Sequence, residues 1–537
     1  MRLILTILIC FFSFITLGQK MPKLIVGIVI DQMRFDYLQK FGPNFSNNGF
    51  NRIMKKGTNC TNVYYNYVPT YTGPGHASIY TGTTPKNHGI IANDWFNRVN
   101  QRMINCVEDN SVSTVGSSSN EGKFSPKNLI STTITDEVKL NNPHSKTISI
   151  SIKNRGAILP GGHLSDGSYW YDYSTGKFIT SSFYTSKLPS WVKSFNEYKN
   201  ASSYLKDWDL LLKPNQYRSV DSSSYEILIQ NKKAPCFPYN FSQMLNKNEI
   251  FALSPFANTL LTDLAIESIN QEQLGKDLST DFLCISYSST DIAGHLFGTD
   301  SREVEDMYYR LDLDLARLMK FLDHKIGKNN YCMFLTADHA AVPVPQSLID
   351  KGLPGGYLFI NDKLSQLNQI IADKFDVSDT IIKRMVNNQI YFDLELMKKN
   401  KIKLDDLNII VVSEVKKWDG IKEVYTKKDI ETIQGNQIVS MIKNGYLEER
   451  SGDIVFNLKH GYLIKSQDLD NARRGTSHGS PYNYDTHVPL LWYGLNIPNK
   501  TIRNNYSITQ IVPTLTQMLN IQTSGLSEGM PILEIFE

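Results

Sequence analysis

Lys23 to Asp31 reads KLIVGIVID, a continuous apolar run closed by an aspartate. This is the pattern of a strand buried on both faces, not the alternation of an edge strand. Three later runs repeat it: Thr147 to Ser151 (TISIS) leads into K-N-R-G-A, Phe282 to Ser286 (FLCIS) into Y-S-S-T-D, and Tyr331 to Thr336 (YCMFLT) into A-D-H. Helical stretches such as Asn258 to Ile269 and Glu303 to Leu322 lie between them. Strands alternating with helices predict an α/β fold, a mainly parallel central sheet with helices on both faces. In open sheets of this kind ligands gather at the carboxyl ends of the strands, where these polar clusters fall.

The rhythm is interrupted twice. Residues 188–251, rich in Ser, Asn, Lys, Tyr and Trp, read as an irregular insertion. Residues 345–472 are lysine-rich and carry strand and helix signals of their own, the apolar run Asn408 to Ser413 (NIIVVS) among them; they read as a cap or lid subdomain. From 473 the chain returns to core character, with an apolar strand at Val488 to Trp492 and a helix near Ile508 to Leu519 broken by Pro513. The core is therefore expected in three parts, 19–187, 252–344 and 473–537.

At the amino end Arg2 precedes the apolar stretch Leu3 to Leu17, followed by Gly18, Gln19 and Lys20. Residues 1–18 are expected to be a secretory signal peptide; the alternative, a membrane anchor, needs roughly 20 apolar residues. Leu8 and Ile9 before Cys10 do not make a lipoprotein cleavage context. The mature protein is expected to be periplasmic or secreted, with no membrane contact after signal cleavage. Lysine plus arginine number 56 against 53 aspartate plus glutamate, a net charge of +3. That leaves no excess to hold a polyanion, and no nucleic-acid partner is expected. The six cysteines form no C-x-x-C pair, which argues against a disulfide scaffold or a zinc-thiolate site. Cys284 and Cys332 sit in strand-like runs and read as buried thiols, whereas Cys60 and Cys106, in polar stretches, are candidates to pair.

Candidate chemistry lies at the strand ends. Asp31 closes the first run, although such an aspartate commonly caps a helix or turn. Asp291 and His295 make D-x-x-x-H, which on a helix puts both side chains on one face. Asp338 and His339 follow another buried run, and His478 lies in the glycine-flanked turn G-T-S-H-G-S. Three aspartates and three histidines suit zinc better than magnesium and resemble a two-metal site. Thr72, in Y-T-G-P-G-H-A-S-I-Y-T-G, is either a helix N-cap or a nucleophile whose hydroxyl proton is lost to metal coordination. His76, four residues on, reads as buried and hydrogen-bonded. Asn93, Lys153 and Arg155 are surface donors or donors to phosphoryl oxygens.

The segments T-G-P-G-H-A-S-I-Y-T-G, S-S-T-D-I-A-G-H-L-F-G, D-H after a buried strand and T-S-H-G-S-P-Y-N-Y-D-T-H-V-P together resemble the alkaline phosphatase superfamily. Within it the chain is similar to the secreted, phosphate-irrepressible bacterial alkaline phosphatases. These share the threonine nucleophile of nucleotide pyrophosphatases/phosphodiesterases but hydrolyse monoesters. The resemblance covers about Lys23 to Ala341 and Arg473 to the end. It implies two zinc ions, one held by Asp291, His295 and His478, the other by Asp31, Asp338 and His339 with Thr72. It further implies that Thr72 attacks phosphorus, that Asn93, Lys153 and Arg155 bind the phosphoryl group, and that His487 is structural. The lysine and arginine mark the monoesterase branch. The implied protein is a monomer acting on a broad range of small-molecule phosphate esters through a phosphothreonine. A phosphodiesterase with the same metals and nucleophile, and a catalytically silent zinc-binding interaction protein, are the alternatives. A sulfatase is disfavoured because threonine stands where a cysteine or serine would be needed.

Overall fold

The continuous apolar runs become the middle of a ten-stranded sheet in a computed structural model that describes residues 20–230, 232–467 and 472–537. The signal-peptide reading of residues 1–18 lies outside the described residues. The strands run in the order Lys500–Ser507, Thr58–Tyr64, His487–Gly494, Tyr331–Thr336, Leu24–Ile30, Asp281–Tyr287, Thr147–Ser151, Gly167–Asp172, Lys177–Ser181 and Thr114–Val115. The five from Tyr331–Thr336 to Gly167–Asp172 are all parallel, and every residue in them is buried. Strands apolar on both sides need cover on both sides, and the helices Pro255–Gln271, Arg302–Leu322, Thr72–Thr81 and Asn154–Gly161 pack around them. The parallel centre passes into antiparallel pairing at both flanks: His487–Gly494 runs against Tyr331–Thr336, and Lys177–Ser181 folds back on Gly167–Asp172.

Two local expectations are corrected, and a run that the sequence left open between strand and helix is assigned. Pro513 does not break its helix. It is the third residue of Ile511–Leu519, where a helix has no partner for the N–H that proline lacks, and the real break is the 3-10 turn Ile508–Gln510 before it. The run Asn408 to Ser413 lies inside the helix Leu404–Val415, which buries Leu407, Val411 and Val415 at the four-residue spacing of one helix face. Cys60 and Cys106 are free, buried thiols rather than a pair. In the strand Thr58–Tyr64, Cys60 is turned inward while its polar neighbours Asn59 and Thr61 are only half-buried. Cys106 packs in another apolar cluster, with Trp95 and Ile158. Burial pushes both thiols up to about 12.

Residues 188–251 contain the short helices Ser190–Tyr198 and Ala201–Tyr204 joined by loops, and their Trp191, Phe195, Trp208 and Tyr239 are part of the main apolar cluster. The lysine-rich region builds a sheet of its own, in the order Ile382–Val386, Gln389–Phe392, Ile454–Leu458 and Ile421–Thr426, all antiparallel. It has a separate core that includes Ile371, Ile390, Leu407 and Phe456. Arg98 joins it to the main sheet's side of the molecule by donating to the Phe392 and Ser451 carbonyls and to Asp453. Among the described residues no helix is long and apolar enough to cross a membrane.

Candidate active site

Neighbouring parallel strands end side by side, so the residues that follow them converge. Asp31 follows Leu24–Ile30, Lys153 lies two residues beyond Thr147–Ser151, and Asp338 and His339 lie just past Tyr331–Thr336. The helix Ser289–Phe297, which follows Asp281–Tyr287, carries Asp291 and His295 one turn apart, with His295 Nε2 3.1 Å from Asp291 Oδ1. His478 comes from a loop distant in sequence; its Nε2 lies 3.7 Å from Asp291 Oδ1 and its ring stacks on His339 with centroids 3.5 Å apart.

Thr72 is the first residue of the helix Thr72–Thr81, and the N-cap position belongs to Tyr71. The Thr72 hydroxyl is buried 3.4 Å from His339 Nε2. Two glycines let this helix start so deep. A Cβ on Gly75 would stand 2.2 Å from the Asp338 carbonyl oxygen. The Gly73 N–H donates to Asn93 Oδ1 at 2.7 Å, which leaves the Asn93 amide N–H groups without a partner among the described residues. His76 has both ring nitrogens hydrogen-bonded, to the Thr72 carbonyl at 2.9 Å and to Ser286 Oγ at 2.8 Å. His487 stacks between Phe35 and Tyr64 and bonds the Thr61 carbonyl.

The three histidines of the cluster, His295, His339 and His478, share one arrangement. Nδ1 of His295, His339 and His478 meets the carbonyl oxygens of Thr476, Ala340 and Thr70 at 2.9, 3.0 and 2.7 Å. A carbonyl only accepts, so Nδ1 carries the proton and each Nε2 presents its lone pair to the cluster, as a metal-ligating histidine does. Ligand atoms of Asp291, His295 and His478 lie within 4.8 Å of one another, as do those of Asp31, Asp291 and His339. Asp291 thus stands between both groups, and Asp338 Oδ2 lies 3.7 Å from His339 Nε2. Asp31 Oδ1 is a buried carboxylate oxygen with no hydrogen-bond donor, and Asp338 Oδ2, also buried, has only His76 Nδ1 nearby, 3.3 Å away and already bonded to the Thr72 carbonyl. Such oxygens are costly unless a cation faces them, so the donor set fits metal.

Burial raises Asp31 well above the usual carboxylate range, and the charges of Asp291 and Asp338 push the same way. Asp291 and Asp338 are buried too, yet they stay below that range because His295 and Lys153 act on the first and His339 and His76 on the second. Lys153 Nζ donates to Asp31 Oδ2 at 2.7 Å and to Asp291 Oδ2 at 2.5 Å. Although burial pulls its pKa down, Asp291 and Asp31 raise it. Arg155, in the first turn of Asn154–Gly161, has a buried Nε with no hydrogen-bond partner, and its charge acts on Lys153.

Gln32 was not singled out from sequence. Its backbone sits in the left-handed region, with φ +68°, its N–H donates to Asp338 Oδ1 at 3.2 Å, and its Nε2 donates to Asp291 Oδ1 at 2.6 Å. The signal available in the chain is its place directly after a strand-terminal aspartate.

A core of this topology with ligand-bearing strand ends is that of the alkaline phosphatase superfamily, and the chain belongs within it to the type I phosphodiesterase / nucleotide pyrophosphatase family, whose model matches residues 25–481. Alkaline phosphatase PafA of Elizabethkingia meningoseptica is 41% identical to it over 523 residues, 96% of this chain and 94% of that protein. Alkaline phosphatase PhoV of Synechococcus elongatus is also 41% identical, over 96% of this chain and 93% of its own. The crystal structure of wild-type PafA matches with a TM-score of 0.91 at 40% identity, covering 96% of this chain and 99% of that one. A second PafA structure carries replacements of a threonine, an asparagine, a lysine and an arginine at the spacings of Thr72 to Asn93 and Lys153 to Arg155 here.

Proposed function

We propose that this chain is an exported alkaline phosphatase that hydrolyses phosphate monoesters through a phosphothreonine at Thr72. The observation that carries this reading is one buried cluster combining the Thr72 hydroxyl, the Lys153 ammonium and six carboxylate and imidazole groups, with Asp31 Oδ1 left without a donor. Asp291, His295 and His478 would hold one zinc ion and Asp31, Asp338 and His339 the other. Bound zinc supplies Lewis-acid stabilisation to oxygens that gain negative charge.

The chain's own groups do the rest. Thr72 Oγ1, having given up its proton, attacks phosphorus as the P–O bond to the in-line alcohol breaks and the alcohol takes a proton from solvent; water attacking from the vacated side then breaks the phosphothreonine P–O bond, releasing inorganic phosphate and restoring the threonine hydroxyl. The opening amides of the helix Thr72–Thr81 favour an anion beside the nucleophile, and the free amide of Asn93 donates to a phosphoryl oxygen. Lys153 and Arg155 offset the two charges of a monoester. A diester has one charge and gains less from two cations, which disfavours the phosphodiesterase reading. The substrates are small phosphate esters, the protein works as a monomer in the periplasm or outside the cell, and residues 345–472 act as a cap over the core.

Chelator-treated protein should be inactive on an aryl phosphate and regain activity with zinc, with kcat/KM for the monoester above that for the matching methyl aryl diester. Full activity without bound metal overturns the zinc assignment. A preference for the diester overturns the monoesterase reading, and absence of any turnover after reloading leaves the silent binding protein as the answer.

A further inference from the structure

Beside the candidate site lies a cavity of about 260 Å³ between the core and the antiparallel sheet of residues 382–458. Its inner wall is Tyr71, next to the Thr72 nucleophile, and His478; its outer walls include Val386, Asn388, Phe456 and Leu463. The turn between Ile382–Val386 and Gln389–Phe392 consists of Asn387 and Asn388, with φ +55° and +59°. Two successive left-handed residues make the tight hairpin turn that matches strand twist. Asn387 Nδ2 donates to the Asp94 carbonyl at 2.6 Å, and the Asn388 carbonyl accepts from the Phe456 N–H at 2.9 Å. The hairpin tip is therefore pinned beside Asn93, one residue from Asp94, while its flank faces His478.

We infer that this cavity takes the alcohol portion of the ester and that it selects uncharged, apolar alcohols about one ring in size. The inference rests on the phosphomonoesterase reading: Thr72 Oγ1 stands 3.4 Å from His339 Nε2, in the group of Asp31 and Asp338, so an alcohol displaced in line leaves on the opposite side, towards Asp291, His295 and His478. The cavity borders that side through His478. Among the described residues its lining contains no lysine or arginine, its one carboxyl, Asp485, is buried, and its other polar side chains include the amides of Asn387 and Asn388 and the hydroxyls of Ser477 and Ser480 beside Val342, Ile360 and Phe456. A second phosphate on the alcohol finds no counter-charge there, whereas a ring finds aliphatic and aromatic walls.

The test compares propyl phosphate with 3-phenylpropyl phosphate on zinc-loaded full-length protein; the ring is remote enough from the ester oxygen to leave its reactivity nearly unchanged. The phenylpropyl ester should be favoured at least about tenfold in kcat/KM. Filling the cavity with Val386→Trp, or from the opposite wall with Leu463→Trp, should bring that ratio close to one. The ratio is insensitive to a general loss of folded protein, which lowers both esters together. A wild-type ratio near one, or a ratio that both filled variants leave intact, overturns the pocket while the phosphomonoesterase reading stands. If neither ester is hydrolysed, that reading falls. Calorimetric affinities of the wild-type protein for propylphosphonate and 3-phenylpropylphosphonate then decide the pocket, equal affinities overturning it.

Discussion

Lys153 and Arg155 are two residues apart, yet they stand in different relations to the buried acids. Lys153 spans Asp31 and Asp291, so its removal strips charge from two carboxylates as well as from substrate. Arg155 has no such carboxylate contact among the described residues, which makes Arg155→Ala the cleaner probe. It should lower monoester kcat/KM by roughly 10²- to 10³-fold and affect a diester much less, as measured by steady-state kinetics on both. Equal losses would assign the guanidinium to the fold. Gln32 offers a second probe, because glycine accepts its left-handed backbone while deleting the amide that bonds Asp291. Gln32→Gly should weaken metal retention about 10- to 100-fold in a competition titration, with the thermal melt of the protein little changed. The pair Asp291 and His295 is legible in the sequence because a four-residue spacing brings side chains together on any helix. Gln32 is not, because its partners lie 259 and 306 positions away.

The helix Thr72–Thr81 shows how an element is seated rather than merely formed. Its amphipathic signal is negligible because all ten residues are buried, and its glycines serve close approach rather than a turn. Gly75→Ala would drive a methyl to within 2.2 Å of the Asp338 carbonyl oxygen, a backbone atom that cannot swing aside. The substitution should cost about 1–3 kcal/mol of stability in chemical denaturation and reduce bound metal, since the loop forced to move carries Asp338 and His339. An unchanged denaturation midpoint would show that the loop yields freely. The apolar run Asn408 to Ser413 makes the complementary point: β-branched residues in sequence resemble a strand, but their burial every fourth residue is helical.

Residues 188–251 meet the helix Arg302–Leu322 where Tyr239 donates to Glu303, and Glu226 lies close enough to feel the Glu303 charge. Both glutamates are buried, and each leaves its Oε2 without a hydrogen bond. Burial raises both carboxyls, and their mutual charge raises Glu226 further. A carboxyl whose folded pKa is raised stays protonated in the native state while the unfolded chain loses its proton, so the unfolded state binds fewer protons and stability falls as pH rises above about 4.5. Glu226→Gln should flatten that fall, so that the variant gains on the wild type between pH 5 and 9 in denaturant titrations. A constant difference across this range would mean that the pair carries no proton. The neighbouring chain bonds the segments that carry His295 and His478, Ile227 N–H to the Leu296 carbonyl and Gly475 N–H to the Tyr225 carbonyl, so the effect belongs to the whole fold.

Local pattern accounts for the parts of this protein that depend on which faces of an element are apolar. Three of the four runs are apolar on both sides and read as interior strands, whereas Thr147–Ser151 alternates isoleucine with threonine and serine and is buried on both faces only by its place in the sheet; the polar residues after all four cluster once those strands lie parallel. Asp31, Lys153, Asp291, Asp338 and His339 are therefore readable from the chain. Pairing direction, and the approach of segments hundreds of residues apart, have no such local signature. The antiparallel course of His487–Gly494, the delivery of His478 against His339 and the pinning of the Asn387 turn beside Asn93 each depend on long-range contacts. So does the separation of Cys60 from Cys106, each buried by a different core. Periodicity records burial one element at a time, whereas these features follow from how all the elements pack at once.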